Sequence, residues 1–279
     1  MLYSSWSIAE GVSGPLLSEV LRLRKAVLKA VLVPLKAALV AIFAALVCLT
    51  GWGMPVWGQE AGGAGGAQSC GFTWSYSSDS SRIMIGEAEQ RRIWTLGAEY
   101  THLLHQGHWV RWDYAGSLMP LFEESDPTDI GTVYTYNGEN VVTPQTPFRV
   151  TTVDYGPVGI EPTGKSTSVP LYARYGREST YSAAFSPLGV RTSALQRWRV
   201  QPSFAFDLGF VVSARDIPVD DADWFNFMFA FGPGVQFITS RRSFLRLEYI
   251  YRHTSNAGLG DVNPGVDQGV VRLTMSRRW

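Results

Sequence analysis

Between Trp198 and Val212 the chain alternates with a period of two. Trp198, Val200, Pro202, Phe204, Phe206, Leu208, Phe210 and Val212 fall on one side, and Arg199, Gln201, Ser203, Ala205 and Asp207 on the other. Successive side chains of a strand point to opposite faces, so this is a strand with one apolar and one polar face. Phe225–Phe237 repeats the pattern, with Phe225, Phe227, Phe229, Phe231, Val235 and Phe237 opposite Asn226, Gly232, Gly234 and Gln236. Ile93–Leu103 and Trp109–Leu118 alternate in the same way. A soluble sandwich also alternates, but its strands are mostly shorter than these. Here the apolar faces are dense in Phe and Trp, and the second faces carry Arg, Asp and Glu among Gly, Ser and Ala. A membrane barrel calls for that division, with apolar side chains outside, a polar interior and no open edge.

The composition agrees. Aromatic residues make up 13% of the chain and charged residues 17%, with 28 Gly and 15 Pro, which suits strands and turns. With 24 basic and 24 acidic residues there is no electrostatic footprint for nucleic acid. No Cys follows Cys70, so the body lacks a thiolate set for a metal. His102, His105 and His108 cluster at a turn without ligand-like spacing and read as loop residues. No cofactor is expected.

Arg22, Arg24, Lys25, Lys29 and Lys36 precede an uncharged stretch, Ala37–Leu49, and small residues at Val56 and Gly58. That order is a secretory signal, so residues 1–58 are read as a signal with a surplus extension; a retained anchor is the rival. Residues 59–81 are read as a flexible linker and 82–279 as the barrel. Strands are expected near 82–88, 92–104, 108–122, 181–195, 197–213, 225–239, 243–255 and 268–279. Residues 123–180, rich in Pro, Thr and Gly, are expected to form a long extracellular insert without clean strands. The fold class is therefore all-β: an eight-stranded antiparallel transmembrane barrel of the outer membrane. Its last strand, ending at Trp279, resembles the assembly signal of bacterial outer-membrane barrels, which implies the barrel assembly machinery as a partner.

In strand seven, Leu245, Leu247, Tyr249 and Tyr251 form the apolar face, while Arg246, Glu248 and Arg252 point inward. His253 and Ser255 continue the odd series. Asp267, at the start of strand eight, shares its parity. A serine, a base and an acid thus meet at one rim, on the outer wall. A serine hydroxyl needs a base to become a nucleophile, and an acid fixes the tautomer of that base. Asn256 and the Gly258 N–H lie close by as candidate oxyanion donors. Taken alone, a His-x-Ser at a rim fits residues bonded to water or headgroups equally well. Tyr249 and Tyr251 fit either a groove beside that rim or an aromatic girdle.

His253-Thr-Ser255-Asn256-Ala257-Gly258-Leu259 and Asn263-Pro-Gly265-Val-Asp267 resemble the signature of the outer-membrane lipid A 3-O-deacylases (PagL type) and the related acyloxyacyl-hydrolase-like barrels. The resemblance implies an esterase without a metal, facing the outer leaflet, that hydrolyses an ester-linked acyl chain of lipid A. It implies lipopolysaccharide and outer-membrane lipids as partners. It also implies Ser255 as nucleophile, His253 as base, Asp267 as acid, and Asn256 and Gly258 near the oxyanion. The acid in those enzymes is typically Glu, one methylene longer than Asp267. A non-catalytic structural or adhesive barrel and a lipid A acyltransferase are the competing readings.

Overall fold

A computed structural model describes residues 67–279 apart from residue 165. The expected signal lies outside the described residues. Ten strands follow in order: β1 (Gln68–Ser77), β2 (Arg92–Gln106), β3 (Val110–Tyr136), β4 (Glu139–Arg149), β5 (Pro157–Pro162), β6 (Ser168–Ala194), β7 (Val200–Ile217), β8 (Asp223–Ile238), β9 (Ser243–Ser255) and β10 (Val266–Arg278). Strands next to each other in the chain pair antiparallel, except β4 and β5; β1 also pairs with β10, and β3 with β6. Eight strands (β1, β2, β3, β6, β7, β8, β9 and β10) therefore close into a ring. The expected eight-stranded barrel is what the chain forms.

Two boundaries differ from expectation. The first ring strand is Gln68–Ser77, inside the stretch read as linker, whereas residues 82–88 lie in the β1–β2 loop and form no strand. In β1, Phe72, Trp74 and Tyr76 face out while Thr73 and Ser75 are buried. The region 123–180 is not strandless either. β3 and β6 each run for 27 residues and carry β4 and β5 on their flanks. At about 3.3 Å per residue, such a strand reaches far beyond a hydrocarbon core of roughly 30 Å. A four-stranded sheet, β4-β3-β6-β5, thus stands on the ring as an overhang. Pro144, Pro147, Pro157 and Pro162 fall on its edge strands, where a missing N–H is tolerated.

Inside the ring the outer and inner faces separate as the alternation requires. Phe204, Phe206, Leu208, Leu247, Tyr249, Val271 and Met275 are exposed on the outside. The interior holds a closed cycle of six buried charges. Arg191 bonds Glu99 at 2.8 Å and Asp207 at 2.7 Å. Arg272 bonds Asp207 at 2.8 Å and Glu248 at 2.6 Å. Arg246 lies 3.1 Å from Glu248 and closes the cycle on Glu99. Every charge has two opposite neighbours, which is what lets ions occupy the interior. Above the cycle an apolar layer includes Ile93, Phe122, Val211 and Met228.

The overhang is tied down where Arg149, at the end of β4, meets Asp220 in the β7–β8 loop at 2.6 Å. Partial burial pushes the Asp220 carboxyl up, but hydrogen bonds and the charge of Arg149 outweigh it, and the net shift is downward. An acid held lower in the folded state stabilises above its unfolded value, near 3.9 for Asp, and that contribution is lost as pH falls below it. Asp220 is half exposed, so solvent screening limits the effect. Limited proteolysis of the β4–β5 connection is expected to speed up in the native protein as pH falls from about 5 to about 3. In Arg149→Gln that pH step should be flattened; an unchanged step would remove the ion pair from the explanation.

Candidate active site at the β9–β10 rim

The β9–β10 register sets Asp267 directly opposite His253. His253 Nδ1 lies 2.6 Å from Asp267 Oδ1, and both side chains are buried. The shorter acid therefore reaches the imidazole without a backbone shift. Phe229, opposite His253 on β8, packs against its ring at 5.2 Å, and Phe231 packs on Tyr251 at 5.3 Å. These aromatics belong to the apolar series of β8 and β9, whose parity His253 shares.

Asp267 is held from three further directions. The Tyr251 hydroxyl donates to Oδ1 at 2.6 Å, and the Met84 and Ile85 N–H groups donate to Oδ2 at 2.6 and 2.9 Å. The carboxylate thus accepts from donors on every side, the arrangement a buried anion needs. The sequence alone offers Tyr251 as a groove or girdle residue; its parity, two residues before His253, puts it on the acid's face. The Met84 and Ile85 amides carried no such mark.

The β1–β2 loop that brings them is itself fixed. Glu87 N–H donates to Pro264 O at 2.6 Å and Ala88 N–H to Gly265 O at 3.0 Å. At its end Arg91, fully buried, donates to Glu89 O and Thr151 O at 2.6 Å and to Pro218 O at 3.2 Å. One guanidinium therefore ties this loop to the overhang and to the β7–β8 loop.

Ser255 ends β9, opposite Phe227, and is partly exposed. It shares the face of His253, but no Ser255–His253 hydrogen bond forms among the described residues. Asn256 and Gly258 build the turn that follows: Gly258 N–H donates to Asn256 Oδ1 at 2.9 Å, and Asn256 Nδ2 donates to Val262 O at 2.8 Å. Ala257 and Gly258 both have positive φ, 53° and 81°. Among the described residues no group of three or more His, Cys, Asp or Glu could hold a metal.

The fold and the site define a class: an outer-membrane-type β-barrel with a buried His–Asp pair two residues from a serine at the end of β9. Within this frame, residues 174–276 match the family model described as lipid A 3-O-deacylase (PagL), a span that includes His253, Ser255 and Asp267. Among solved structures, the crystal structure of the outer membrane enzyme PagL is similar at 12% identity with a TM-score of 0.42, covering 75% of this chain and 99% of that one. Neisserial surface protein A (NspA) is similar at 11% identity and a TM-score of 0.37, covering 76% and 97%. The outer membrane protein OprG from Pseudomonas aeruginosa follows at 11% and 0.38, covering 77% and 97%. No curated protein matches the chain.

Proposed function

We propose that this barrel is a lipid A deacylase-like serine esterase of the bacterial outer membrane. The observation that carries the reading is the buried 2.6 Å contact between His253 and Asp267, two residues from Ser255 on one face of β9. With Nδ1–H given to Asp267, the imidazole's Nε2 is left to accept a proton. Ser255 Oγ attacks the ester carbonyl as His253 takes its proton. That proton then passes to the departing sugar alkoxide, leaving an acyl-serine. Water, deprotonated by the same imidazole, cleaves the acyl-serine and releases the fatty acid. The serine–base hydrogen bond commonly tightens only when substrate is bound, and the i,i+2 spacing leaves that closure to the complex. The turn at Asn256–Gly258 supplies the oxyanion donors, and its Asx bond opens as the oxyanion forms.

In this reading the acyl chains of lipid A already lie against the wall, in the outer leaflet, and the ester reaches the rim by lateral diffusion. The overhang is then extracellular and both termini periplasmic. Residues 1–58 direct export, and β10 with Trp279 engages the barrel assembly machinery. The large overhang favours a second reading, a non-catalytic adhesive barrel, because its edge strands β4 and β5 offer open hydrogen-bonding edges.

The test incubates the detergent-purified barrel with lipid A and follows both products by mass spectrometry. Free fatty acid is expected from the native protein, with a loss of about 10⁴-fold or more in Ser255→Ala. Equal release by Ser255→Ala would sink the assigned nucleophile. No release from any acyl ester would favour the adhesive barrel, and lipid A gaining a chain would make it a transferase.

A further inference from the structure

The loop between β1 and β2 carries three consecutive apolar residues in an otherwise polar run. Ser78, Asp79, Ser80, Ser81 and Arg82 precede Ile83, Met84 and Ile85, and Glu87, Glu89 and Gln90 follow. All three side chains stand free, with exposures of 49%, 63% and 60%. Strand alternation does not account for them. A lipid-facing strand exposes every second residue, and these are adjacent in a loop that crosses the start of β10. Their backbone, by contrast, is committed: the Met84 and Ile85 amides hold Asp267 Oδ2. The loop thus turns its amides to the acid and its side chains outward.

Two glycines allow the chain to pack closely beside it. A Cβ on Gly265 would lie 2.9 Å from His253 Cε1 and 3.5 Å from the Gly86 Cα. A Cβ on Gly86 would lie 2.5 Å from the Asp267 backbone nitrogen and 2.8 Å from its Cγ. The loop backbone at Gly86 therefore packs directly on Asp267, and the β9–β10 turn at Gly265 passes against the His253 imidazole. An apolar platform next to a reacting ester, on a wall that is itself apolar, suits one occupant above others: the extended hydrocarbon chain of the ester being cleaved.

We propose that Ile83, Met84 and Ile85 form the contact for that acyl chain and set the enzyme's preference for long chains. This rests on the esterase reading above. It makes the β1–β2 loop a specificity element whose backbone positions the acid while its side chains select the substrate.

The test replaces all three, Ile83→Ser, Met84→Ser and Ile85→Ser, which keeps every backbone donor to Asp267. Steady-state kinetics are measured in one detergent on the myristoyl and butyryl esters of p-nitrophenol, with Ser255→Ala as the blank. The ratio of kcat/KM for the myristoyl ester to that for the butyryl ester is expected to fall about tenfold or more, chiefly through the KM of the myristoyl ester. An unchanged ratio between the two esters would overturn the inference while leaving the esterase intact. An equal loss on both would also overturn it, making the loop only a support for Asp267 or a leaflet anchor. A native protein that hydrolyses neither ester would overturn the esterase reading, and the inference with it.

Discussion

Asp267→Asn is expected to cut lipid A deacylation by about 10⁴-fold, the scale seen when the acid of a serine–histidine–acid triad becomes an amide. The geometry makes the loss severe here. His253 Nδ1 and Tyr251 Oη meet Oδ1, and two backbone N–H groups meet Oδ2. All four partners donate, so an amide NH₂ faces donors whichever way it is turned. If the NH₂ points at His253, Nδ1 must accept, and the proton moves to the nitrogen that should receive the serine's. If it points at the loop, two amides lose their acceptor and the loop is pushed away. Tyr251→Phe removes one donor without reversing any polarity, and about a tenfold loss is expected. The comparison needs the barrel intact, which heat-shifted gel mobility checks. Asparagine at wild-type rates would show that the carboxylate charge is not needed.

Arg272→Met is expected to destabilise the folded barrel by about 3–5 kcal/mol. Arg272 bonds both Asp207 and Glu248 at depth, and the substitution leaves two carboxylates each short of a partner in a water-poor interior. The remaining arginines, Arg191 and Arg246, cannot make up the difference, because each is already shared between two acids. Urea unfolding in lipid vesicles measures the change. A loss under about 1 kcal/mol would mean that water screens the cycle as it would a surface pair.

The sequence made the ring legible because period-two alternation depends on nothing but the neighbouring residues. It made the meeting of His253 and Asp267 legible for the same reason, since parity and strand adjacency together put them on one face. It misdirected the reading at β1. There Gln68–Ser77 follows a Gly/Ala-rich stretch and mixes small residues with its aromatics, while the apolar Ile83–Ile85 run drew the strand to the wrong place. The prolines hid β4 and β5, because sequence does not say which strand will lie at an edge. The amides on Asp267 were beyond reach for a plainer reason. They come from 182 and 183 residues away, and a backbone N–H has no residue type to betray it.

The cycle of six charges has a consequence for traffic across the membrane. Three arginines and three acids cancel one another in the ring's interior, and each is bridged to two neighbours of opposite charge. A water file would have to break this closed set of ion pairs to pass the level of the cycle. The cycle is therefore a plug at its own level of the ring, made of ion pairs rather than of packed hydrocarbon.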